Sequence, residues 1–157
     1  MERPHSRVRL LWIGRALLTA TVLAVVAFVV GRVVPERFFT VSTALVAAIW
    51  VAATLLGAVH ALLYYRSWRF EIQDDALYLV RGVVTEVETA VPYVRVQHVD
   101  TQRGPVERLV GLSSLVVYTA GTRGADISIP GLTPERANRL RERLRDLAIE
   151  SEGSDAV

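Results

Sequence analysis

The chain has 157 residues, enough for one modest domain plus a small accessory part, and its 52% apolar content is high for a soluble protein of this size. The absence of cysteine excludes disulfides, thiolate chemistry and Cys-based zinc sites, and the absence of lysine excludes Schiff-base and Lys-base catalysis. The net charge of +2 divides unevenly: residues 1–66 carry seven Arg against Glu2 and Glu36, whereas residues 67–157 carry eleven Arg against fourteen acids. The basic part is also the part with the long apolar runs, so the charge does not point to nucleic acid.

Leu10 to Val34 contains only Arg15 and Arg32 as charges, with an uninterrupted apolar run of sixteen residues at Ala16–Gly31. That run is slightly short of the ~20 residues a hydrocarbon core requires. Arg15 can extend its guanidinium towards headgroups and lengthen the usable span. Phe38 to Tyr65 runs twenty-eight residues without an Asp, Glu, Lys or Arg. Pro35 and the charges of Arg32–Arg37 break the two runs apart. The pattern predicts a transmembrane hairpin with spans of about 11–32 and 41–64. A cleaved signal peptide is disfavoured, because no small-x-small site follows the first run and a second span does.

Arg3, Arg7, Arg9, Arg15, Arg66 and Arg69 flank the hairpin on one side, against Arg32 and Arg37 in its loop. Positive-inside bias places both termini in the cytoplasm and the protein in the cell membrane. His60 is the ionisable group well inside the second span, which makes it a candidate intramembrane polar site. Its alternative is a neutral imidazole bonded to the neighbouring helix.

The rest of the chain reads as strands and one helix. Trp68–Ile72 alternates apolar and polar, Gln73-Asp74-Asp75 is turn chemistry, and Ala76–Arg81 is the return strand. Val83–Val91 alternates cleanly up to Pro92, which demands a strand edge or break. Tyr93–Gln102 is a further strand, with a bulge expected at the consecutive polars Gln97-His98. Gly104-Pro105 turns the chain into one helical turn stopped by Gly111. Ser114–Ala120 reads as a central strand, Gly121–Gly124 as a hairpin loop and Ala125–Pro130 as the strand after it. Thr133-Pro134-Glu135 announces a helix whose stripe is Ala137, Leu140, Leu144, Leu147 and Ala148. Ser151–Val157 is read as a disordered tail.

Six or seven antiparallel strands in a bent sheet or barrel, capped by a C-terminal α-helix, form one of a few plans that hide the open end of a sheet. The run Val91-Pro92, Arg95-Val96-Gln97-His98-Val99-Asp100, Gln102-Arg103-Gly104-Pro105-Val106-Glu107-Arg108-Leu109-Val110-Gly111-Leu112 resembles the signature of the bacterial PH-domain family. Within it, the similarity is to YdbS-like membrane-flanked proteins. Val116–Gly121 and Ile129–Leu132 fit the same pattern in order. His98 departs from it, standing where similar sequences often carry a small or polar residue. Residues 1–66 are thus read as tail and hairpin, 67–150 as a cytoplasmic PH-like domain and 151–157 as tail, with the resemblance covering about Phe70 to Leu147. It implies no catalytic residues.

No phosphate-binding glycine loop, nucleophile elbow or metal-ligand spacing is present, so no catalytic, cofactor-binding or metal residue is expected and no small-molecule substrate is identified. The polar set Arg95, Gln97, Asp100 and Arg108, on the corner made by Gly104, Pro105 and Gly111, has two readings. Either it faces a partner, or Arg108 reaches back to Asp100 or to strand carbonyls and locks the corner. The second is favoured because a tight corner must satisfy its backbone groups. The expected function is a non-catalytic, membrane-anchored interaction or assembly module of the cell envelope. It would sit integrally in the lipid bilayer and act with a protein partner, a related membrane-flanked PH-like protein being one candidate. The alternative is a lipid-headgroup or lipid-surface binder.

Overall fold

A computed structural model of the protein describes residues 1–33, 42–120 and 126–154. The centre of the loop expected between the two spans, the hairpin loop at Gly121–Gly124 and residues 155–157 lie outside them. The chain forms two compact units, Arg9–Leu63 and the combination of Met1–Val8 with Tyr64–Val157.

The first unit is built from α1 (Val8–Val33) and α2 (Thr43–Ser67), both long and apolar enough to cross a membrane. At 1.5 Å per residue they extend to about 39 and 37 Å, against a hydrocarbon core of ~30 Å. They pack through small residues: a Cβ added at Gly57 would stand 2.8 Å from the Ala16 Cβ. The Trp50 indole N–H donates to the Thr21 hydroxyl at 3.1 Å, a side-chain bond between helices of the kind apolar surroundings favour.

The second unit holds two three-stranded antiparallel sheets and a helix. One sheet has the order β1 (Arg69–Ile72), β2 (Ala76–Arg81), β3 (Val87–Pro92). The other has β4 (Val96–Gln102), β5 (Ser113–Thr119), β6 (Ile127–Leu132). The sheets do not close into a barrel. β5 is central, as its apolar sequence predicts, and Leu115 and Val117 are fully buried. Pro92 and Pro130 both lie on edge strands, where a missing N–H is tolerated. A short helix α3 (Pro105–Leu109) links β4 to β5, and α4 (Pro134–Ser154) follows β6. Thr133 starts α4 by accepting the Arg136 N–H on its hydroxyl, and in its apolar stripe Ala137 and Leu144 are fully buried while Leu140, Leu147 and Ala148 are half-buried.

Three local expectations change. Val83–Glu86, read as the start of a strand, forms the turn before β3, and Val84 is 95% exposed. Gly82, at φ +117°, folds back so tightly that an added Cβ would meet the Thr85 carbonyl oxygen. Tyr93–Arg95 is a 3-10 turn rather than the start of β4. The helix α4 continues through Ser151–Ser154, where a disordered tail was expected.

The N-terminal octapeptide is a structural part of the second unit. Glu2 and Phe70 exchange both backbone hydrogen bonds, at 2.7 and 2.9 Å, adding a bridge to the free edge of β1. Further along, the His5 N–H donates to the Gly131 carbonyl of β6 at 2.6 Å, and Val8 is 1% exposed. Arg136 of α4 pairs with the Glu2 carboxylate and stands over the Phe70 ring at 5.5 Å. Residues 1–8 thus form a strap from one sheet to the other. Gly131, at φ +70°, makes room for it: a Cβ there would lie 2.8 Å from the Val8 Cβ. Gly131→Ala therefore costs about 1–2 kcal/mol in backbone conformation alone, with the collision added. Gly153→Ala, with open space around it, should be neutral or slightly stabilising. Urea unfolding of the full chain in micelles, followed by tryptophan fluorescence, measures both; equal midpoints would mean the strap is not seated on Gly131.

Candidate functional site

The corner that the sequence singles out is a strand, a turn and a five-residue helix held by its own groups. Gly104 precedes α3 with φ −68°, Pro105 is the first helical residue, and the Gly104 N–H donates to the Glu107 carboxylate at 2.7 Å. The other Glu107 carboxylate oxygen accepts the Ser114 hydroxyl of β5 at 2.6 Å. The Arg103 guanidinium donates to the Leu112 carbonyl at 3.2 Å. At its far end α3 stops in a Schellman arrangement: Leu112 N–H bonds to Glu107 O at 2.8 Å and Gly111 N–H to Arg108 O at 3.3 Å. Gly111 takes φ +69°, the left-handed conformation such a stop requires.

The corner is locked, but not by the expected pair. The Arg108 side chain is exposed and makes no hydrogen bond or ion pair among the described residues, and Asp100 stands 4.0 Å from the His98 imidazole instead. Glu107 and Arg103 carry the role expected of Arg108. The cue was present in the sequence, since a Glu three residues after an N-cap position reaches back to the cap N–H. Arg95 ends the 3-10 turn, and its carbonyl accepts the Ala120 N–H at 2.8 Å. Gln97 falls in the bulge of β4, where the register with β5 shifts between Val96 and His98. The His98 ring stacks on Tyr118, with centroids 4.1 Å apart. His60 lies exposed on α2, in the other unit.

Two surface features complete the geometry. Val106 and Leu109, three residues apart on α3 and thus on one face, are 59% and 86% exposed. The β1–β2 turn is acidic: Asp74 and Asp75 are exposed beside Tyr93, whose hydroxyl donates to the Gln73 carbonyl at 2.5 Å. Burial, and then the Asp75 carboxylate, push the Tyr93 phenol up to about 12. Among the described residues no three His, Asp or Glu side chains gather as a metal site.

At about 1 kcal/mol per hydrogen bond, Glu107→Ala should destabilise the second unit by about 1–3 kcal/mol. Arg108→Ala should stay within about 0.5 kcal/mol, as an exposed unpaired side chain does. Thermal unfolding of the two variants distinguishes them; a larger loss with Arg108 would restore the original assignment.

The family model for the bacterial PH domain matches residues 9–148, from the start of the hairpin to the last turns of α4. The chain is 32% identical over 102 residues to the transmembrane protein YdbS of Bacillus subtilis (strain 168). That match covers 64% of this chain and 62% of the relative, so it spans less than two thirds of the relative's length. No solved structure matches. The match runs through both membrane-capable helices, both sheets and most of α4, and the chain belongs to the bacterial PH-domain family.

Proposed function

We propose that this chain is a non-catalytic, membrane-anchored module that assembles with another membrane protein of the cell envelope, with both termini in the cytoplasm. The observation that carries the reading is the corner: a rigidly capped α3 that holds Val106 and Leu109 out to solvent on one face. Fixing two apolar side chains in water is unfavourable unless they are covered in the working state. A second PH-like chain fused to membrane spans is the partner we favour, since it would lie in the same bilayer.

Headgroup binding at the β1–β2 turn finds no support, because Asp74 and Asp75 would repel a phosphate there. Two membrane-capable helices also make lipid affinity unnecessary for targeting.

Orientation is tested by labelling. The protein has no native cysteine, so cysteines at Thr40 and Gly153 are unique. An impermeant thiol reagent applied to intact cells should modify the Thr40 variant and spare the Gly153 variant; the reverse result inverts the topology.

Assembly is tested with the full chain extracted in mild detergent. A membrane protein should stay with it through gel filtration, and Leu109→Glu should release that protein while leaving the unfolding temperature unchanged. Elution of the wild type alone, together with saturable binding of short-chain anionic lipid, would replace the module by a lipid binder.

A further inference from the structure

The β4 strand has a strand neighbour on one side only, because its sheet runs β4–β5–β6. Between it and the second half of α4 lies a groove of about 530 Å³. That is within the ~300–1,000 Å³ range of ligand sites. Val96 and Val99 form one wall; Ala148 and Ile149 form the other, with Ile149 58% exposed. The bulge between Val96 and His98 opens the strand at this point, as bulges do where a side chain must be re-aimed.

The polar lining is Gln97, His98, Arg141, Glu142 and Arg145, with a small excess of positive charge. Arg141 and Arg145 are one helical turn apart on the same face of α4, and both line the groove. Neither makes a hydrogen bond or ion pair among the described residues. Glu142 is the carboxylate in the lining, and against it the two arginines leave an excess of one positive charge. Residues 67–157 are net acidic, so this concentration of unpaired cations is local and runs against the average.

An edge strand presents a row of backbone donors and acceptors at a spacing that another extended polypeptide matches. A lipid headgroup has no use for such a row. We propose that the groove takes an extended, acidic segment of a partner protein, which pairs with the outer edge of β4 and sets its carboxylates against Arg141 and Arg145. The inference rests on the reading of the chain as an interaction module and gives that module a second, chemically defined contact. The planar guanidinium forks suit bidentate carboxylate recognition, and the aliphatic walls suit the alternate side chains of the segment.

The test uses the full chain in neutral-detergent micelles and a fluorescein-labelled octapeptide alternating Val and Glu. Fluorescence anisotropy should show saturable binding that weakens with salt, and a Val–Arg octapeptide should not bind. Arg141→Glu combined with Arg145→Glu should weaken binding by about tenfold or more, with the unfolding temperature unchanged. Ala148→Trp, which fills the groove without altering its charge, should weaken it too. Undiminished binding by the charge-reversed variant, or no saturable binding by the wild type, overturns the proposal. Binding of short-chain phosphatidylglycerol in place of the peptide, lost in the same variant, also overturns it and assigns the groove to lipid. If the peptide fails while a membrane partner still co-elutes, the groove inference falls and the module stands; if both fail, the module falls as well.

Discussion

The backbone exchange between Glu2 and Phe70 is the contact on which the architecture of the second unit turns. β1 and β6 are edges of two separate sheets, and each leaves a row of backbone groups that must find partners or water. The strap satisfies one edge at Phe70 and the other at Gly131, and its Val8 side chain fills the space that Gly131 leaves. The Arg136 guanidinium joins the same arrangement through Glu2 and the Phe70 ring, which brings α4 into register with it. A sheet pair that does not close into a barrel is thereby stapled by a segment eight residues long.

Position in the chain adds a constraint. The strap ends where α1 begins, and α2 ends at Ser67, one residue before Trp68 is buried at 2% exposure. Both connections into the hairpin therefore leave from ordered, buried residues of the second unit. The Tyr65 hydroxyl donates to the Pro4 carbonyl at 3.1 Å, so the two connections also touch each other.

Most of the secondary structure could be read from the sequence because its signals were local. The bulge at Gln97-His98, the stop at Gly111, the cap at Thr133 and the buried stripe through Leu144 each follow from residues within a few positions of one another. Failures came where the deciding contact was remote or the local signal was double. MERPHSRV carries no period of two, and its partner strands begin more than sixty residues later, so its arginines read as a topogenic tail. Val83–Glu86 precedes a genuinely alternating stretch and was read with it as strand, but the backbone freedom of Gly82 allows a tight turn there. At the corner Arg108 was expected to hold the turn, and Glu107 holds it instead. The carboxylate wins because the groups needing partners there are the Gly104 N–H and the Ser114 hydroxyl, which are donors, and a guanidinium has no lone pair to offer them.

The second unit offers two surfaces of different chemistry. At the corner, Val106 and Leu109 would gain by leaving water, a contribution that scales with area and is nearly indifferent to salt. In the groove, Arg141 and Arg145 are only partly covered, so a carboxylate brought to them loses little of its hydration and gains a modest, screened attraction. An apolar contact of that kind supplies affinity without orientation, whereas strand pairing and charge fix register and exclude the wrong partner. If the chain is the membrane-anchored module proposed above, it would meet its partners in two dimensions and would have little need of high affinity. Discrimination would then matter more, and under the proposal above the β4 edge facing Arg141 and Arg145 of α4 would provide it.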